Sequence, residues 1–148
     1  TQAQALWALR ENLSEVQRFA GGSIKNDISV PVARIPEFIE RANALIADII
    51  PGARPVPFGH YGDGNIHYNI SQPDGGDKQA FLARWDEVTD AINALLGELR
   101  GSISAEHGIG RMKRAALATT KSPVEIQLMR RIKHALDPKG IFNPDKVV

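Results

Sequence analysis

Two imidazoles, two amides and a carboxylate lie within the ten residues from His60 to Asn69, in the stretch Pro57-Phe-Gly-His60-Tyr-Gly-Asp63-Gly64-Asn65-Ile-His67-Tyr-Asn69-Ile70. An Asp-Gly pair between apolar runs predicts a two-residue type I′ hairpin turn, because both turn residues need positive φ. In that register His60 faces His67, with Cβ atoms about 4.5–5.5 Å apart. Asn65, His67 and Asn69 then share one face of the strand. Two of the four histidines of the chain would stand side by side, as in a metal site. The plainer alternative is a pair of hydrogen-bonded strand histidines at a sheet edge. Zinc or manganese would need a third donor, usually a carboxylate here. Asp63, as a turn residue, points away from its own hairpin. Glu106, at the end of a predicted strand, is the better candidate.

His107 follows Glu106 directly and is flanked by Gly108 and Gly110. Glycines at that spacing let backbone approach a ligand closely. A histidine beside a metal-bound carboxylate can act as general base at neutral pH. The competing reading is a helix-entry loop in which Glu106 favours the positive end of the helix dipole. Arg10 and Lys25 are candidates for fixing a substrate carboxylate, against a plain surface role. The clusters Arg111–Arg114 and Arg130–Lys133 read as solvated faces. No phosphate-binding loop or GxGxxG fingerprint is present.

The elements that must position these groups follow from periodicity. Residues 3–20 carry Leu6, Leu9, Leu13, Val16 and Ala20 at helical spacing, with Arg10 and Ser14 on the flank of that stripe. Gly21-Gly22 ends the helix. A short strand is predicted over 25–30, a helix over 36–50 with Pro36 in its first turn, and the hairpin over 54–60 and 65–71. The clearest helix is 77–99, followed by a strand at 102–105, a basic helical segment near 110–119, and a capped helix from Ser122 to Leu136. The order strand, helix, strand, strand, helix, strand predicts an α+β fold, a ferredoxin-like split βαβ antiparallel sheet with added N- and C-terminal helices. Helices 36–50 and 77–99 should cover one face, leaving the other for the terminal helices or a missing domain.

Composition narrows the function classes. At 148 residues with 43% apolar and 24% charged residues, one ordinary folded domain is expected. The net charge of +1 gives no electrostatic case for nucleic acid or an anionic membrane. Cysteine is absent, so a metal would be held by nitrogen and oxygen only. No stretch approaches the roughly 18 apolar residues that span a bilayer. The expected location is the cytoplasm, with at most peripheral contact to a membrane through a partner.

Three ordered motifs carry a resemblance: Gly59-His-Tyr-Gly-Asp-Gly-Asn-Ile-His67, Ser104-Ala-Glu-His-Gly-Ile-Gly110 and Leu136-Asp-Pro-Lys-Gly-Ile-Phe-Asn-Pro-Asp-Lys146. They resemble the C-terminal half of FAD-linked oxidases with a vanillyl-alcohol-oxidase type of flavin domain. Within these the likeness is to the D-2-hydroxyacid dehydrogenases that act on D-lactate, glycolate or D-2-hydroxyglutarate. Leu6–Glu11 and Lys25–Pro31 also resemble the hydroxyglutarate branch. The resemblance implies His60, His67 and Glu106 as ligands of a divalent metal and His107 as catalytic base. It implies Arg10, Ser14, Lys25 and Asn69 as substrate-holding residues, Ser14 standing where threonine is common. Asn143 resembles a position near the flavin.

The implied partners are a small 2-hydroxy acid, an electron acceptor, and an FAD-binding domain that precedes this region in the family. Residues 1–148 alone are expected to bind FAD poorly, to be inactive, and to expose a partly apolar face where that domain docks. Self-association into a homodimer is the other way to cover such a face. The rival expectations are a self-sufficient His/His/Glu metal-binding or hydrolytic domain, and a purely structural or dimerisation module.

Overall fold

Alternation within two strands decides which way the sheet faces. In β1 (Ser23–Ser29) Ile24, Asn26 and Ile28 point to one side; in β3 (Asn65–Ser71) Ile66, Tyr68 and Ile70 do the same. A computed structural model describes residues 1–148, except for the side chains of Ser14 and Arg18, so the expectation placed on Ser14 lies outside the described residues. Strands β1 and β3 pair antiparallel, and β2 (Arg54–Phe58) lies on the far side of β3, giving the order β1-β3-β2. Pro55 and Pro57 lack the N–H that a central strand must donate, which suits β2 to the edge it occupies.

The apolar face is closed by α3 (Ile35–Ile49) and α5 (Trp85–Glu98), which bury Phe38, Ala42 and Ile46 against Val88, Ile92, Leu95 and Leu96. Phe38 meets Tyr68 edge-on, with ring centroids 5.4 Å apart. The Tyr68 hydroxyl donates to Asn43 Oδ1 at 2.9 Å. Pro36 sits in the first turn of α3, as the sequence predicts. The fold is α+β with the split βαβ order.

The fourth strand expected at 102–105 is reduced to one antiparallel bridge, Ser29 to Ser102, beside β1. Ser29 N donates to Ser102 O at 3.0 Å and Ser102 N donates to Ser29 O at 2.7 Å. Beyond it the ladder stops because the next donors are taken elsewhere. Ser104 N turns back onto Ser102 Oγ, and the N–H groups of Ala105, Glu106 and His107 are donated to the Asp27 carboxylate. A side chain has outcompeted a strand for the same backbone.

The helices depart from the predicted spans at both ends. The stretch 3–20 forms α1 (Gln2–Glu11), a short α2 (Leu13–Val16) and a 3-10 turn, Gln17–Ala20, before Gly21. No described residue of α1 is buried, and Leu6, Trp7 and Leu9 remain exposed. The predicted 77–99 helix is broken into α4 (Lys78–Leu82) and α5, with the Arg84 side chain at the break donating to Ile49 O at 3.1 Å. The basic segment is helical only as α6 (Arg114–Thr120), and α7 (Pro123–Leu136) carries the capping box at Ser122 and Glu125. Apolar side chains stay exposed on α7 at Val124, Leu128, Ile132 and Leu136.

The hairpin turn is longer than a two-residue type I′ turn. Phe58, not His60, pairs with His67. Residues Tyr61–Asp63 make a 3-10 turn closed by Gly64 at φ 84°. Gly64 accepts from Val30 N at 3.1 Å, and a Cβ at this residue would lie 2.1 Å from Val30 O. That contact between loops sets the turn and fixes the start of β3. Gly64→Ala is expected to cost about 1–3 kcal/mol of stability through backbone strain and the lost contact. Urea unfolding followed by circular dichroism measures it, and an unchanged midpoint would refute the argument.

Candidate active site

The second face of the sheet is polar, and the strand register writes out its layout. Lys25 pairs with Asn69, Asp27 with His67, and Ser29 with Asn65 across β1 and β3. Val56 and Phe58 continue the first two rows on β2. Successive same-face residues along a strand are about 6.7 Å apart, so the three rows form a strip with His67 at its centre. The Phe58 ring lies beside His67 at a centroid separation of 5.2 Å.

His60 does not face His67 directly, but the register shift is by two residues, which keeps side chains on the same face. His60 joins the Asn65 end of the strip: its backbone O accepts from Asn65 N at 3.2 Å, and its Nδ1 lies 3.2 Å from Asn65 Nδ2. Glu106 reaches in from the 104–108 loop and stands between the two histidines. Its Oε1 is 3.0 Å from His60 Nδ1 and also accepts from Asn65 Nδ2, and its Oε2 is 4.0 Å from His67 Nε2. Arg10, at the end of α1, donates from its guanidinium to His60 Nε2 at 3.3 Å. With Nε2 taken by Arg10, Nδ1 is the ring nitrogen that faces Glu106. Asp63 is turned to its own backbone and accepts from Asn65 N at 3.2 Å. It takes no part in the cluster.

His107 is exposed, and its ring lies 5.8 Å from that of His67. Gly108 and Gly110 adopt φ of 73° and 52°, the left-handed region that favours glycine, and no protein atom stands within 4 Å of where a Cβ would lie. The first turn of α6 is too distant in sequence for Glu106 to cap it. Lys25 lies at the other end of the strip from Arg10, in a cleft of ≈ 270 Å³ that Gln17 and Lys78 also line. The two cations therefore flank the histidines instead of forming a pair. Asn69 is buried and donates to Gln17 Oε1 at 2.8 Å. Asn143 is exposed at φ 44° in the C-terminal turn, and no described contact brings it to the histidines.

The residue that sequence reasoning misses is Asp27. It is 4% exposed and receives the loop N–H groups described above. Burial pushes its carboxyl up, but the His107 N–H, the Ser104 hydroxyl and the Glu106 N–H outweigh that and hold it below the usual carboxylate range. Lys113, read from sequence as part of a solvated basic face, instead turns inward. Its Nζ donates to Asp27 O at 3.0 Å and to Ile103 O. Burial lowers the Lys113 pKa, partly offset by the nearby Asp27 charge. Lys133, in the other basic cluster, is likewise engaged, with Asp137 and Phe142 O. The signal that could have found Asp27 is the β1 alternation, which places Lys25 and Asp27 opposite the Ile24–Ile28 core face.

Among the described residues, the trio of potential ligand groups whose atoms all lie within 4.8 Å of one another is Asp27, His67 and His107. The expected His60, His67 and Glu106 are brought to one place by Glu106, yet they do not close as tightly. A cleft of ≈ 1030 Å³ between α5, α6 and α7 touches this region through Ser104 and Glu106 and is not lined by His60, His67 or His107. Within the histidine strip Asp27, Asn65 and Asn69 are buried and His67 is half-buried, while Lys25 and His60 at its two ends are exposed. No helix is long and apolar enough to cross a membrane.

Comparison with known proteins matches the chain to one family. The model of the FAD linked oxidases, C-terminal domain, matches residues 1–147. The chain is 45% identical over 147 residues to a D-2-hydroxyglutarate dehydrogenase of Xanthomonas citri pv. viticola, covering 99% of this chain and 31% of that protein. It is 40% identical to the mitochondrial D-2-hydroxyglutarate dehydrogenase of Arabidopsis thaliana, covering 99% and 25% respectively. The mitochondrial enzyme of Rattus norvegicus is 38% identical, with 99% and 26% covered. The chain thus spans a third or less of the length of these relatives. It belongs to the C-terminal domain family of the FAD-linked oxidases.

Proposed function

We propose that this chain is the substrate- and metal-holding domain of an FAD-dependent dehydrogenase that oxidises a D-2-hydroxy acid to the 2-oxo acid. The observation that carries the reading is Glu106 standing between His60 and His67, with the Arg10 guanidinium on one side and His107 on the other. The donor set fits a divalent cation: two imidazoles and a carboxylate, with no thiolate, suit zinc or manganese. His60, His67 and Glu106 would hold it. Bound there, the metal would supply a Lewis acid toward the substrate's hydroxyl and carboxylate oxygens, and FAD, held by a preceding domain, would accept the two electrons as hydride.

The residues of this chain do the remaining work. His107 takes the hydroxyl proton as the Cα–H bond breaks. Arg10, a bidentate donor, receives a carboxylate after leaving His60. Lys25 and Asn69, at the opposite end of the strip, suit a second carboxylate, which favours a dicarboxylic hydroxy acid such as D-2-hydroxyglutarate, the substrate in the relatives' names. Ser14 and Asn143 keep the roles the family resemblance implies, a substrate-holding hydroxyl and a position that would stand near the flavin. The exposed apolar side chains of α1 and α7 are the docking surface for the flavin domain. An electron acceptor reoxidises the flavin.

The full-length protein should be yellow and should bleach when D-2-hydroxyglutarate is added anaerobically. A colourless protein, or one whose flavin stays oxidised with every 2-hydroxy acid, would sink the proposal. Arg10→Ala should raise KM by about 10–100-fold, the worth of a charge-assisted hydrogen bond, while metal content stays as in the unaltered protein. Steady-state kinetics beside elemental analysis checks this; loss of metal would mean that Arg10 supports His60 instead of the substrate.

A further inference from the structure

Asp27 is a buried carboxylate wrapped by backbone. Its Oδ2 accepts from Ser104 Oγ at 3.0 Å, Ala105 N at 3.1 Å, Glu106 N at 3.2 Å and His107 N at 3.0 Å, and Oδ1 accepts from Glu106 N at 3.2 Å. Three consecutive N–H groups pointing at one charge bend the chain around it, the reverse of a backbone loop that binds a free anion. Lys113 Nζ stands 3.9 Å from Oδ2 and also donates to Asp27 O and Ile103 O, tying the strand to the start of the same loop. A buried, unpaired carboxylate would be costly; this one is balanced by a cation and by four donor groups.

The consequence falls on Glu106 and His107. With their amides fixed to Asp27, their Cα positions are set relative to β1 and to His67, which pairs with Asp27 across the strands. Asp27 Oδ1 is 3.8 Å from His67 Nδ1, while His67 Nε2 faces Glu106. At 3.8 Å the contact is too long for a hydrogen bond, but the charge favours the ring orientation in which Nε2 points to Glu106. Asp27, His67 and His107 converge closely enough to resemble a ligand trio. Oδ2 is already crowded with donors, however, and a carboxylate offers only about four lone-pair sites.

We infer that Asp27 is the positioning residue of this site, a buried anchor that aims the Glu106 carboxylate and the His107 ring at His67 without itself touching metal or substrate. The inference rests on the proposed reading of His60, His67 and Glu106 as a metal site. Groups behind metal ligands typically carry about 10–100-fold in metal affinity or activity. In the full-length protein, Asp27→Asn keeps the shape but replaces one acceptor oxygen with an N–H donor that opposes the loop amides. Ser104→Ala, at a half-buried position, removes only the hydroxyl's contribution.

The experiment measures the zinc and manganese dissociation constants by chelator competition, kcat and KM for D-2-hydroxyglutarate, flavin content and circular dichroism. Asp27→Asn should weaken metal binding about 10–100-fold and lower kcat more than it raises KM, with flavin content and secondary structure unchanged. Ser104→Ala should show the same pattern, reduced to a few-fold. Metal affinity and kcat both unchanged in a folded Asp27→Asn protein would overturn the inference and leave the metal reading intact. If Asp27→Asn does not fold, Ser104→Ala decides: weakened metal binding supports the role and unchanged binding overturns it. An unaltered protein that binds neither metal overturns the metal reading, and this role with it.

Discussion

His107→Ala in the full-length protein is expected to lower kcat by about 10²–10⁴-fold, the usual contribution of a positioned general base. KM should change little and the metal should stay bound. The reason is geometric. His107 hangs on the loop that Asp27 holds by backbone, so removing its imidazole leaves the N–H that Asp27 accepts, and leaves the path to Glu106 unaltered. Its ring lies beside that of His67, at a centroid separation of 5.8 Å. The decisive measurement is the rate of flavin reduction in a single turnover, paired with elemental analysis. A His107→Ala protein that has lost its metal, or that reduces flavin at the unaltered rate, would remove His107 from the role of base.

His67→Ala should fail differently. His67 is the centre of the strip, and its Nε2 faces Glu106. Without it, metal content should fall, and kcat and KM should both worsen, because the metal orients the acid as well as polarising it. A Lewis acid contributes several kcal/mol to such a step, about 10³-fold in rate by transition-state arithmetic. His60→Ala should behave alike, and in addition leave Arg10 without its partner at Nε2. Elemental analysis of the purified variants is the test. Normal metal occupancy in His67→Ala would show that the ion is held elsewhere, and Asp27 with His107 would become the groups to examine.

Much of this site is legible in the residues themselves. The order of elements marks a split βαβ sheet, and the motifs around His60 and Glu106 mark the family. The hairpin register is where local signals mislead. Asp63-Gly64 has the pattern of a two-residue turn, but Gly64 is held against Val30, and the turn takes in Tyr61–Asp63 as well. The difference moves His60 by one pair along the strip and leaves it on the expected face, because a slip of two residues preserves the side. The fourth strand misleads for a related reason. Ser102–Ala105 has strand character locally, but Asp27 claims the donors just beyond the bridge.

What the sequence by itself determined is therefore the face on which each side chain of β1 and β3 stands. Side-chain alternation is a local property of two residues, and it separates Ile24, Ile28, Ile66 and Ile70 from Lys25, Asp27, His67 and Asn69 without knowledge of the partner strand. Only the tertiary structure decided which groups meet. Asp27 and His107 are 80 residues apart, and His60 and Glu106 are 46 apart. Their contacts depend on the β1–β3 register and on how far the 104–108 loop is drawn back over the sheet. Local propensity carries no information at that separation, because the competition between a strand ladder and a buried carboxylate is settled only once both are packed side by side.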